Sequence, residues 1–156
     1  MAGTIEKKLA SLGITLPTPA SPIANYVATT RSGNLLIVSG QICFGADGKL
    51  AAKGQLGAAV SVEDGQKAAR ACAVNLLAQI KGALGDLDKV QRVLRLGGFI
   101  NSAPGFIDGP KVMNGASDLM VEVFGDKGRH ARTTVGVSAL PADAAVEVEG
   151  LFEVSA

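Results

Sequence analysis

Few residues in this chain of 156 have the types and spacing that chemistry needs. The segment Arg132-Thr133-Thr134-Val135-Gly136-Val137 alternates. As a strand it sends Arg132, Thr134 and Gly136 to one face and Thr133, Val135 and Val137 to the other. The first face sets a fork of guanidinium donors beside a small hydroxyl and bare backbone. That suits carboxylate recognition, because arginine lays two parallel N–H bonds on two oxygens. An arginine on an exposed strand, or in a structural ion pair, has the same pattern, and spacing leaves both readings open. Further on, Glu147, Glu149 and Glu153 alternate with Val146, Val148, Phe152 and Val154. Such acids are ordinarily solvated or paired across a sheet. One of them brought beside Arg132 would orient a water for hydrolysis, and spacing does not choose among the three. The single histidine, His130, has Arg129 and Arg132 nearby and reads as a solvated loop residue rather than a general base. No phosphate-binding glycine loop, HExxH helix, paired-cysteine signature or GxSxG elbow occurs.

The elements that must position these residues follow from patterning. Three prolines in Leu16-Pro17-Thr18-Pro19-Ala20-Ser21-Pro22 forbid a regular element, so residues 1–20 read as an extended lead-in. Tyr26–Thr30 and Leu35–Ser39 form a hairpin around Arg31-Ser32-Gly33-Asn34. Ser61 with Asp64 resembles a capping box opening a helix. Its stripe of Ala69, Cys72, Leu76, Ile80 and Ala83 faces a core, and Gly85 stops it. Val90 to Ile100 reads as a strand in which Gly97-Gly98 marks a bulge or a close approach by another group. Pro110 opens a second helix with apolar positions Val112, Met113, Ala116, Leu119, Met120, Val123 and Phe124, and Gly125 ends it. Arg132–Ala139 and Ala145–Val154 are strands flanking a turn at Leu140-Pro141-Ala142-Asp143. The order β-β-α-β-α-β-β implies an α+β fold, with a mixed or antiparallel sheet and both helices on one face. The opposite face must be hidden, and a small chain achieves this by oligomerising.

Composition narrows the classes. The length fits a single domain spanning 1–156, and 47% apolar content suffices for one core. A formal charge of +1 provides no global field for nucleic acid or an anionic membrane. Aromatic content of 4% without tryptophan also supplies few stacking surfaces for single strands. Cys43 and Cys72 suggest neither a disulfide framework nor a metal cluster, and Cys72 reads as inert packing. No apolar run approaches the roughly 20 residues of a membrane span, and the first twelve residues lack a signal-peptide core. A soluble cytoplasmic protein is expected.

The string Ala131-Arg132-Thr133-Thr134-Val135-Gly136-Val137-Ser138-Ala139-Leu140-Pro141, followed by Val146-Glu147-Val148-Glu149, closely resembles the signature of the reactive-intermediate deaminase (Rid) family. This family is also labelled YjgF-like or endoribonuclease L-PSP. Asn25-Tyr26-Val27, Ile37-Val38-Ser39-Gly40-Gln41-Ile42 and Asn114 match in order, so the resemblance runs from about Ser21 to the end. It implies a chorismate-mutase-like sheet with two helices on one face, assembled as a homotrimer with clefts between subunits. It further implies hydrolysis of small 2-enamino or 2-imino acids to 2-keto acids and ammonia without metal or organic cofactor. On that resemblance Arg132 clamps the substrate carboxylate, the Thr134 backbone assists near the imine and Glu147 positions the attacking water. Tyr26, Ser39, Gly40 and Asn114 line the cleft. Thr134 stands where many members carry cysteine, and Ser117 replaces an aromatic residue one turn after Asn114, departures that would widen or repolarise the cleft. A trimer of the same family that binds a small metabolite without turnover is the alternative reading. Ribonuclease action is the weakest, given the neutral charge and no evident acid–base pair.

Overall fold

In a computed structural model, which describes residues 2–156, five strands form one sheet in the order β1-β2-β5-β3-β4. Met1, where the expected lead-in starts, lies outside the described residues. The strands are β1 (Thr29–Ser32), β2 (Leu35–Ile42), β3 (Val90–Asn101), β4 (Ala131–Val137) and β5 (Val146–Val154). The expected hairpin forms, although it begins at Thr29, leaving Tyr26 to Ala28 outside the strand. β2, β5 and β3 pair antiparallel, while β3 and β4 run parallel. A parallel neighbour requires a crossover, and helix α3 (Gly109–Phe124) supplies it.

Helix α2 (Val62–Leu84) starts where Ser61 Oγ accepts from Asp64 N–H at 3.1 Å and stops at Gly85, whose φ of 76° is the left-handed conformation of a C-terminal cap. Cys72, Leu76 and Ile80 of its stripe are fully buried, as expected. Ala83 is not, and Leu84 fills that side of the helix end instead. Helices α2 and α3 cover one face of the sheet. There Leu36 and Val38 of β2, Val93, Leu96 and Ile100 of β3, and Val146, Val148 and Phe152 of β5 are buried against them.

The other face carries no helix, and Leu35, Ile37 and Val135 stand 43%, 53% and 44% exposed on it or at its edge. Burying each such side chain stabilises by about 1.5–3 kcal/mol, so this apolar row is left uncovered at a cost. Gly97 and Gly98 mark close approach rather than a bulge. A Cβ on Gly97 would lie 2.7 Å from Glu149 Oε1 on the open face, and one on Gly98 would lie 2.5 Å from Met113 Sδ on the helix face. The irregularities of β3 fall earlier, between Val90 and Arg92 and between Val93 and Arg95.

The lead-in is extended only from its prolines onward. Thr4–Ser11 forms a helix, α1, which patterning missed because Leu9 is its one buried residue. Its stability is borrowed from afar. The Asp88 carboxylate accepts from Thr4 N–H at 2.7 Å and Ile5 N–H at 2.8 Å, satisfying two free donors of the first turn. Glu6 adds an ion pair to Lys81 of α2.

The two backbone bonds hold the Asp88 carboxyl below its usual range. A depressed folded value gives stability that is present above the unfolded value and is lost as pH falls through the folded one. Asp88→Ala is expected to loosen α1 by about 1 kcal/mol, the usual loss of a cap. Amide exchange within Thr4–Ser11 should be faster in the variant at neutral pH, and the difference from wild type should shrink in acid.

Candidate functional site

The residues singled out by sequence fall into two groups on opposite faces of the sheet. In the register of β3 and β4, Arg132 lies beside Leu96 and Thr134 beside Gly98, so both side chains point to the helix-covered side. That orientation inverts the usual rule, since it is the apolar Val135 that faces outward. The first turns of α3 stand over Arg132. Its Nη1 donates to Asn114 Oδ1 at 2.8 Å and to Ser117 Oγ at 3.2 Å, and its Nη2 donates to Pro110 O at 3.3 Å. All three acceptors are neutral. No carboxylate among the described residues comes within 4.0 Å of the guanidinium, so its charge is oriented without being neutralised.

Two further residues complete this arrangement. His130 Nδ1 lies 2.6 Å from Gly128 O, which calls for a proton on that nitrogen, so that in the neutral ring Nε2 accepts from Ser117 Oγ at 2.9 Å. Ser117 can then point its oxygen lone pairs at Arg132. The histidine expected to be a solvated loop residue is thus half-buried and aligns the serine that aligns the arginine. The signal available in sequence was the three-residue spacing of Asn114 and Ser117, which puts both on one helical face. Beside them, Thr134 Oγ1 is buried without a hydrogen-bond partner, an uncompensated polar atom of the kind that bound water or ligand satisfies.

The second group surrounds Glu147. On β5 this residue lies beside Ile42 of β2 and Phe99 of β3, on the face away from the helices. Tyr26, Gly40 and Glu147 line one cleft of about 370 Å³. Gly40 leaves room for the carboxylate in its present position, since a Cβ there would sit 2.2 Å from Glu147 Oε1 and displace it. Ser39 plays a supporting part. Its hydroxyl donates to Val27 O at 2.9 Å and its N–H to Ala28 O at 2.9 Å, which ties down the segment carrying Tyr26. The turn before β5 is held in a left-handed conformation at Ala142 and Asp143, with φ of 57° and 58°. Asn101 Nδ2 secures it by donating to Asp143 Oδ1 at 3.2 Å and Ala144 O at 3.1 Å. Backbone strain of this kind persists only where surrounding contacts over-determine it.

Burial, with a smaller contribution from the neighbouring charge of Glu149, pushes the Glu147 carboxyl up from its usual range. A raised folded value means that the folded state holds its proton longer than the unfolded chain does. The associated stability is complete below the unfolded value and is lost as pH rises through the folded one. Glu147→Gln is therefore expected to raise the unfolding midpoint at pH 7 and to flatten its decline between mildly acidic and neutral pH, as followed by thermal melts across that range. An unchanged melting profile would contradict the desolvated carboxylate.

Residues 6–153 match the family described as "YjgF/chorismate_mutase-like, putative endoribonuclease". The chain is 50% identical over 155 residues to Protein TCP17 of Trypanosoma cruzi, covering 99% of this chain and 96% of that protein. Among solved structures it is similar to Atu1372 of Agrobacterium tumefaciens, a protein of unknown function. The identity there is 49% and the TM-score 0.90, over 97% of this chain and 92% of that one. It is also similar to "a putative endoribonuclease" from Shewanella oneidensis, at 36% identity and a TM-score of 0.93, over 97% of this chain and all of that one. With the family model spanning nearly its whole length and these relatives sharing its sheet and helices, the chain belongs to the YjgF, or Rid, family.

Proposed function

We propose that this protein is a hydrolytic deaminase of small 2-imino and 2-enamino acids, working in clefts formed between the subunits of a homotrimer. The observation that carries this reading is the Arg132 guanidinium, oriented by Asn114, Ser117 and Pro110 and with no acid among the described residues to pair with. A metabolite carboxylate is the natural counterion for such a fork. The water-activating group is Glu147, which lies two strands from Arg132 and on the other face. One chain does not unite them. A second copy docked on the uncovered sheet face, where Leu35 and Ile37 are exposed, would bring its Arg132 to the Glu147 cleft and bury that apolar row.

The chemistry asks little more. With the carboxylate of a protonated imine fixed, a water held by Glu147 attacks C2, the C=N electron pair moves to nitrogen, and Glu147 takes the water's proton. Glu147 then returns that proton to the carbinolamine nitrogen and takes the hydroxyl proton as the C=O bond forms and the C–N bond breaks, so that a 2-keto acid and ammonia leave and the proton passes from Glu147 to solvent. A carboxylate whose pKa is raised by burial is a stronger base than a solvated one and so better accepts the water's proton. Orientation of two reactants in one site supplies much of the remaining acceleration.

The reading is tested by generating imino acids in situ from amino acids and measuring 2-keto acid release. Arg132→Ala should lower kcat/KM by about 100-fold, the order expected when one member of a buried charge pair is removed. Arg132→Lys should recover little, because the fork is lost. Glu147→Gln should act on kcat, by roughly 100-fold or more. Ser117→Ala should raise KM several-fold while sparing kcat, and Ser117→Thr should restore it. Sedimentation should give three times the 15.8 kDa chain mass. Pyruvate binding that depends on Arg132, with no imine turned over by the wild type, would replace the deaminase with a metabolite-binding trimer.

A further inference from the structure

The cleft beside Glu147 is larger than the smallest imino acid requires. Its volume of about 370 Å³ lies in the range of about 300–1,000 Å³ that accommodates drug-sized ligands, and a three-carbon substrate would leave most of it empty. Among the described lining residues only Glu147 carries a carboxylate, and none is a lysine or arginine. Beyond the carboxylate the lining is mainly apolar, with Ala28, Ile42, Phe44 and Ala78 on the scaffold side, and its other polar groups, among them Gln41 and Asn75, are uncharged. A second cavity of about 260 Å³ shares Pro17, Phe44 and Ala46 with the first and prolongs it.

The opposing wall is Pro17–Ile23, which includes the end of the lead-in at residues 1–20. It is held in place by dedicated contacts. Gln79 of α2, only 6% exposed, donates its Nε2 to Ala20 O at 2.8 Å. A buried amide is retained only where it is satisfied, and here its partner is the carbonyl of a loop with no regular structure. Pro19 packs on Gly82, coming within 3.2 Å of where a Cβ would stand. Upstream, α1 is fastened to Asp88, and downstream Ser39 Oγ holds Val27 O. Proline limits the remaining freedom of the segment. The wall is therefore a pre-formed surface.

We propose that the space beneath Pro17–Ile23 is a side-chain subsite, which selects 2-imino acids bearing an aliphatic group of about leucine size over alanine-sized ones. The proposal rests on the deaminase reading for its reacting atoms. With carboxylate and imine held near Glu147, the substituent on C3 runs along the apolar wall toward the second cavity. A single methylene in an apolar pocket discriminates about 10–200-fold, so the preference is measurable.

The test compares imino acids generated in situ from leucine and from alanine. The wild type is expected to favour the leucine-derived substrate by at least about tenfold in kcat/KM. Ala46→Phe, an exposed position where the two cavities meet, should fill the subsite and bring the ratio near one. Gln79→Leu, which releases the wall, should also reduce the ratio in protein shown by circular dichroism to be folded. Equal kcat/KM values in the wild type, or a ratio untouched by Ala46→Phe, would overturn the subsite. Absence of turnover for every imine would defeat the deaminase reading alone. The subsite is then judged by calorimetry, where about tenfold tighter binding of 4-methyl-2-oxopentanoate than of pyruvate supports it and equal affinity overturns it.

Discussion

A guanidinium cannot shed its charge at any pH a protein survives, and in this chain Arg132 is held by a side-chain amide, a hydroxyl and a backbone carbonyl instead of an acid. Neutral acceptors fix its direction while leaving its charge uncompensated. Keeping a half-buried cation in that condition is unfavourable until an anion arrives. The residues around it follow from this constraint. Asn114 and Ser117 occupy one face of α3, His130 sets the serine, and the parallel pairing of β4 with β3 places Arg132 beneath the first turns of that helix.

The sheet holds the two groups of candidate residues apart. The pleat sends Arg132 toward the helices and Glu147 away from them, and strand β3 lies between the strands that carry them. No rotamer change brings groups on opposite faces of a sheet together. The sheet meanwhile leaves Leu35 and Ile37 open to solvent. On the proposed reading, covering that face and completing the site are one requirement, which association of identical chains would meet.

Much of this was legible in the residues. Period two placed Arg132 and Thr134 on one face, because the strand repeat is fixed by covalent geometry, and the caps at Ser61 and Gly85 marked the limits of α2. The element order also implied helices on a single face, which the sheet has. Other features lay beyond local pattern. Helix α1 escaped notice because its N-terminus is capped by Asp88, more than eighty residues away. The close approach of a β5 carboxylate to Gly40 joins distant parts of the chain. His130 looked solvated because its partner Ser117 lies in another element. Which face of β4 meets the helices was hidden as well, since the apolar face of this edge strand is the outward one.

The most direct measurement of the shared site is complementation between two inactive variants. Arg132→Ala and Glu147→Gln chains are unfolded together, refolded as a one-to-one mixture and assayed for imine hydrolysis. If each cleft takes its arginine from one chain and its glutamate from another, random assortment restores about one quarter of wild-type activity. If the mixture is no more active than its parents, though mixed trimers are present, arginine and glutamate do not act across an interface and the account fails.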